Sequence, residues 1–151
     1  MGELNNIINV LLIEDNSVET SLINKILDLD ELGVNFNGVG DGIEAMDYLH
    51  KKGKYKDSKT PSLILLDLNL PKKNGREVLK EIKTDAILKC IPVIILTNSN
   101  NDKDIRESYD HYANAYMVKS TDFDKFNENI LRFKEFWFSN VQLPRIDYNI
   151  D

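Results

Sequence analysis

Ser62-Leu63-Ile64-Leu65-Leu66-Asp67-Leu68-Asn69-Leu70-Pro71 is the stretch on which the reading of this chain turns. It opens on an unbroken apolar run of the length of a central parallel strand buried on both faces. An aspartate then stands where such a strand runs out, and Asn69, Pro71 and Gly75 turn the chain back. Open α/β sheets hold their ligands outside the carboxyl ends of the strands, so Asp67 is the first candidate for function. Its plain alternative is a solvated loop carboxylate that opens the next helix.

Toward the N-terminus, Ile8–Ile13 reads as a second buried strand, rich in branched residues and ending in Glu14-Asp15-Asn16-Ser17. Asn16 with Glu19 three positions on is a helix start with reciprocal capping. Val18, Leu22, Ile23, Ile26 and Leu29 then give the helix its apolar face, and Gly33 ends it. Val34–Val39 alternates loosely and predicts an edge strand. Asp41 and Glu44 repeat the capping pattern for a helix through Ala45, Met46 and Leu49, and residues 51–60 form a lysine-rich surface loop.

Toward the C-terminus, residues 76–84 predict a helix on Val78, Leu79 and Ile82, and residues 92–97 a buried strand ending in Thr97. A polar loop over 98–102 leads to a helix over 103–112. Ala115–Val118 predicts a last strand, ending at Lys119. The final helix, from Asp122 to about Phe138, carries Phe123, Phe126, Ile130, Phe133 and Trp137 on one stripe. Leu131 and Phe138 fall about 120° from its centre. They read either as a partner surface or as a wider buried stripe. Residues 1–140 are expected to form one domain, with 141–151 a short tail and no effector domain.

A chain of 151 residues with 42% hydrophobic and 29% charged residues is long enough to bury a core as one soluble domain. Its net charge of −6 argues against nucleic acid or an anionic membrane as the main partner. Cys90 is the only cysteine, which suits a reducing compartment. No apolar run approaches the roughly 18 residues that span a bilayer, and the first residues lack a secretion signal. The expectation is a cytoplasmic protein.

Five alternating strand–helix units predict a flavodoxin-like, doubly wound α/β fold with a five-stranded parallel sheet in the order 2-1-3-4-5 and helices on both faces. In that order Glu14, Asp15, Asp67, Thr97 and Lys119 converge on one rim. Three crowded carboxylates repel unless a cation neutralises them. Hard oxygen ligands of this kind suit Mg²⁺, which keeps several waters and accepts phosphate oxygens. Beside such an ion a carboxylate can act as nucleophile on phosphorus, while Thr97 and Lys119 can donate to the oxygens of the transferred group. Singly, Thr97 reads as well as a satisfied strand end and Lys119 as surface charge. Their joint arrival at four strand ends favours the chemical reading.

These pieces resemble the receiver domain of two-component response regulators over about residues 9–138. The resemblance rests on Leu12-Ile13-Glu14-Asp15-Asn16, on Leu65-Leu66-Asp67-Leu68-Asn69-Leu70-Pro71 with Gly75, on Ile95-Leu96-Thr97, and on Tyr116-Met117-Val118-Lys119. It implies that Asp67 is the phosphoacceptor of a sensor histidine kinase. It also implies that Glu14, Asp15, Asp67 and the backbone carbonyl of Asn69 hold Mg²⁺, that Thr97 and Lys119 contact the phosphoryl group, and that Tyr116 is the switch aromatic that follows Thr97. Two positions depart from the pattern. Ser120 stands where a proline in a cis peptide is usual, and the bond from Lys119 is expected to stay cis. Asn98 is larger than the usual alanine or glycine.

The loop over 51–61 and the ending Phe136-Trp137-Phe138-Ser139-Asn140-Val141-Gln142-Leu143-Pro144 are similar to single-domain regulators that serve phytochrome-type kinases. That likeness implies a homodimer through the fourth helix, fifth strand and last helix, joined by the C-terminal extension. The rivals are a pseudo-receiver that only binds proteins and an aspartate-nucleophile phosphatase. The latter places its nucleophile on the first strand with a second acid two positions on, where this chain has Asn69. Gly38-Val39-Gly40-Asp41-Gly42 lacks the third glycine of a dinucleotide fingerprint.

Overall fold

A computed structural model describes residues 7–27 and 33–146. In chain order the elements are β1 (Ile8–Ile13), α1 (Ser17–Leu27), β2 (Val34–Val39), α2 (Gly42–Leu49), β3 (Leu63–Leu66), α3 (Gly75–Thr84), β4 (Val93–Thr97), α4 (Asp102–Asp110), β5 (Ala115–Val118) and α5 (Phe123–Glu135). Short 3₁₀ turns lie at Gly53–Tyr55 and Leu88–Cys90, and α5 runs on into a π turn at Phe136–Asn140. All five strands are parallel, in the order β2-β1-β3-β4-β5, as the alternation of units predicts. Leu29, expected on the apolar stripe of the first helix, lies outside the described residues.

Successive side chains of a strand point to opposite faces, and the three central strands feed two cores in that way. Leu11, Ile13, Ile64, Leu66, Val93 and Ile95 meet Val78, Leu79 and Ile82 of α3 and Ala45, Met46 and Leu49 of α2. Val10, Leu12, Leu63, Leu65, Ile94 and Leu96 meet Ile23 and Leu27 of α1 and Phe126, Ile130 and Phe133 of α5. Burial of both faces explains why these strands read as continuous apolar runs.

Helix starts follow the caps. Asp41 accepts from the Glu44 amide at 2.7 Å, Asn74 from Arg76 at 2.7 Å, Asn101 from Lys103 at 2.7 Å and Asp122 from Asp124 at 2.9 Å. Two glycines set the spacing around the end of β3. A Cβ on Gly75 would collide with the carbonyl oxygen of Asp67 and the backbone of Leu68, and one on Gly42 with the carbonyl of Lys73. Here glycine is required for close approach of backbone to backbone.

The chain departs from the sequence reading at its C-terminal end. Phe123, expected on the buried stripe, is 62% exposed, while Phe138 is buried and packs edge-on against Phe133 at 6.0 Å between ring centroids. For Phe138 the π turn makes the difference. The Val141 amide donates to the Phe136 carbonyl at 3.1 Å, and this wider winding carries residue 138 inward relative to a 3.6-residue helix. For Phe138 the wider buried stripe is therefore the outcome, whereas Leu131 stays exposed. The residues that follow also pack. Leu143 lies against the α1/α5 core and Ile146 against the α2/α3 core, so residues 141–146 strap one side of the sheet to the other. The loop over 51–60 is likewise tied down, with the Tyr55 ring tilted against Tyr48 at 5.1 Å between centroids and its hydroxyl donating to Glu44 at 2.5 Å.

Candidate functional site

The last rungs of the sheet set the site. The Asp67 amide donates to the Ile13 carbonyl at 3.0 Å, the Glu14 amide to Val39 at 3.0 Å, and the Lys119 amide to Thr97 at 2.7 Å. Adjacent strands are thereby held level at their carboxyl ends, and residues distant in sequence become neighbours. Glu14, Asp67, Thr97 and Lys119 are buried, whereas Asp15 and Asn69 are exposed.

One carboxylate oxygen from each of Glu14, Asp15 and Asp67 lies within 4.8 Å of the others. The Lys119 ammonium reaches past β4 to the ends of β3 and β1, donating to Glu14 Oε1 at 2.5 Å, to Asp67 Oδ2 at 2.9 Å and to Glu19 Oε2 at 2.6 Å. The other oxygen of Asp67 accepts from the Asn69 amide at 2.9 Å. Burial pushes the Glu14 carboxyl up to about 7; the hydrogen bond from Lys119 opposes this and the neighbouring Asp67 charge adds to it. Burial pulls the Lys119 ammonium down, but its hydrogen bonds to three carboxylate partners outweigh that and hold it above the ordinary lysine range.

Thr97 points an unpartnered hydroxyl into this buried environment. An orphan of that kind is uncommon in a folded protein and calls for a reason. On the far side of Thr97, the Tyr116 phenol donates to the Ser99 carbonyl at 2.8 Å. Ser99 in turn donates to Asp104 at 2.7 Å, and Arg76 closes the chain with a hydrogen bond to Asp104 at 2.8 Å. This network ties α3, the loop after β4, α4 and β5 together beside the site.

All the residues expected at the rim are brought to it. The bond from Lys119 to Ser120 corrects the expectation of a cis peptide: none occurs among the described residues. A cis bond without proline costs about 2.5–4 kcal/mol, and Lys119 reaches both acids without it. Two features escaped the sequence reading. Glu19 explained itself as a capping residue, which hid its contact with Lys119; its place one turn after the acidic pair was the available signal. The Arg76–Asp104 pair joins helices that no local pattern connects.

Chemically, three carboxylates engage one ammonium, and the exposed carboxylate of Asp15 stands beside two of them. The oxygen donor set of Glu14, Asp15 and Asp67 fits a hard divalent cation such as Mg²⁺.

Comparison with known proteins agrees with this arrangement. A family model described as the response regulator receiver domain matches residues 10–131. Response regulator Rcp1 of Synechocystis sp. is 41% identical over 135 residues, covering 89% of this chain and 92% of that protein. Among solved structures, the phosphorylated cyanobacterial phytochrome response regulator RcpA superposes with a TM-score of 0.88 at 44% identity, covering 91% of this chain and 99% of its own. The Mn²⁺-bound form of Rcp1 superposes with a TM-score of 0.87 at 40% identity, covering 90% and 98%.

Proposed function

Because this chain belongs to the response regulator receiver family, we propose that it is a phosphoacceptor switch in which Asp67 takes a phosphoryl group from the phosphohistidine of a sensor kinase. In that transfer the phosphorus–nitrogen bond of the donor breaks, a phosphorus–oxygen bond to the Asp67 carboxylate forms, and the imidazole leaves. Glu14, Asp15 and Asp67, with the carbonyl of Asn69, would hold Mg²⁺, whose charge offsets that of the phosphoryl oxygens. Lys119 carries its ammonium to the same oxygens, and the Thr97 hydroxyl supplies the remaining donor. The observation that carries this reading is the reach of Lys119 from the end of β5 to Asp67 at the end of β3, 2.9 Å away, inside a cluster of acids.

Once on Asp67, the dianion draws Thr97 toward it. Tyr116 and the segment 98–102 follow, biasing the surface of α4, β5 and α5. The same site releases the group by hydrolysis of its own acyl phosphate, with the exposed Asn98 beside Thr97 governing access of water. The donor is a phytochrome-type kinase; the likeness to the phytochrome response regulator RcpA supports this. A homodimer through α4, β5 and α5 is supported by the exposed Tyr109, Val118, Leu131 and Phe136 on those elements and the turn after them.

Asp67→Asn decides the central claim. Incubated with radiolabelled acetyl phosphate and Mg²⁺, the wild-type chain takes up label and the variant takes up none, while its circular dichroism spectrum is unchanged. Labelling of the variant at the wild-type level would move the acceptor elsewhere, and an unlabelled wild type would leave a protein-binding module.

A further inference from the structure

Glu19 does not do what its position in a capping pattern predicts. The Asn16 amide, to which it would reach back, is taken by Glu14 Oε2 at 3.1 Å. The start of α1 is capped instead by Asn16 Oδ1, which accepts from the amides of Val18 and Glu19 at 3.0 Å each. The Glu19 backbone thus completes the cap, and its carboxylate, free of that duty, lies 2.6 Å from the Lys119 ammonium.

An ammonium has three donors, and Lys119 directs them at three carboxylates of two kinds. Glu14 and Asp67 belong to the acidic cluster that fits a divalent cation; Glu19 does not. A cation and the ammonium therefore compete for Glu14 and Asp67, and Glu19 is the partner left to the ammonium. That matters because the Lys119 side chain is only 3% exposed, and a buried ammonium stripped of its carboxylates is strongly disfavoured. A phosphoryl group reverses the situation: its oxygens must draw the ammonium off Glu19.

Resting on the phosphoacceptor reading above, we infer that Glu19 is a positioning residue, holding Lys119 on the α1 side of the site while Glu14 and Asp67 are engaged by a cation and yielding it to the phosphoryl oxygens. Glu19 thereby favours metal binding and opposes binding of the anion. An acid serving only as a favourable charge in the first turn of α1 would alter helix stability without acting through Lys119.

The test is Glu19→Gln in the full chain, which keeps the size of the side chain and leaves the backbone cap in place. Mg²⁺ affinity is measured by calorimetry, and beryllofluoride affinity at saturating Mg²⁺ by ¹⁹F resonance, in about 0.1 M and about 0.5 M KCl. The expected result is Mg²⁺ bound about fivefold more weakly and beryllofluoride about fivefold more tightly. Both shifts persist at the higher salt, because contacts of a buried ammonium escape screening. Affinities within about twofold of wild type, changes in the same direction, or shifts that vanish at high salt overturn the inference. A wild-type chain that binds no beryllofluoride in the presence of Mg²⁺ removes the phosphoacceptor reading itself, and the role of Glu19 with it.

Discussion

The hydroxyl of Thr97 is a buried donor with nothing to donate to. Leaving a polar group in that state costs about 1–3 kcal/mol, so the residue weakens the resting fold at the place where the proposed chemistry calls for a donor. Thr97→Val keeps the shape and removes the orphan. Its expected effect is a rise of about 1 kcal/mol in unfolding free energy, read as a higher urea midpoint. Phosphate uptake from acetyl phosphate slows about tenfold or more. A variant less stable than wild type would mean that the hydroxyl has a partner in the resting protein. Asp67, Thr97 and Lys119 were legible from sequence because each is a polar residue closing an apolar strand. Glu19 was not, since a local explanation for it already sufficed.

At the scale of elements, the sequence shows residues 141–146 as a short C-terminal extension and not as a strap across the fold. Its apolar anchors, Leu143 and Ile146, are separated by a proline and an arginine and follow no helical or strand period. Only the packed structure shows that they touch opposite faces of the sheet. Both are partly buried, so Leu143→Ala and Ile146→Ala should each destabilise by about 1–2 kcal/mol, below the range for a fully buried truncation. Urea midpoints equal to wild type would show that the strap does not hold the two cores together. The central strands, by contrast, were plain in the sequence, because burial on both faces leaves no polar positions to blur them. The burial of Phe138, just past the end of α5, arose from a change of helical pitch that residue spacing does not encode.

For the whole molecule, the order of strands was legible and decisive. It places β1 and β3 side by side at the centre, so the acids of residues 14, 15 and 67 meet where the winding of the sheet reverses direction. The same order leaves β5 as an open edge between α4 and α5, with Val118 39% exposed. Exposed edges invite pairing, and the homodimer proposed above covers this one. Light scattering after size exclusion should give twice the chain mass at micromolar concentration, and Leu131→Glu should return it to one chain. A single-chain mass in both the free and the beryllofluoride-bound protein would assign that face to another partner. None of this requires a membrane: no helix among the described residues is long and apolar enough to cross one.

The two glycines that let backbone touch backbone around Asp67 have a mechanical corollary. With Gly75 pressed on the carbonyl of residue 67 and Gly42 on that of residue 73, the bank of the cleft on the Asp67 side is wedged and has no slack. The opposite bank, from residue 98 to the start of α4, is moored to its neighbours by side chains that can let go: Ser99, Asp104, Arg76 and Tyr116. Stiffness is thus distributed unequally about Asp67, and under the proposed function that asymmetry would give the signal its direction of travel.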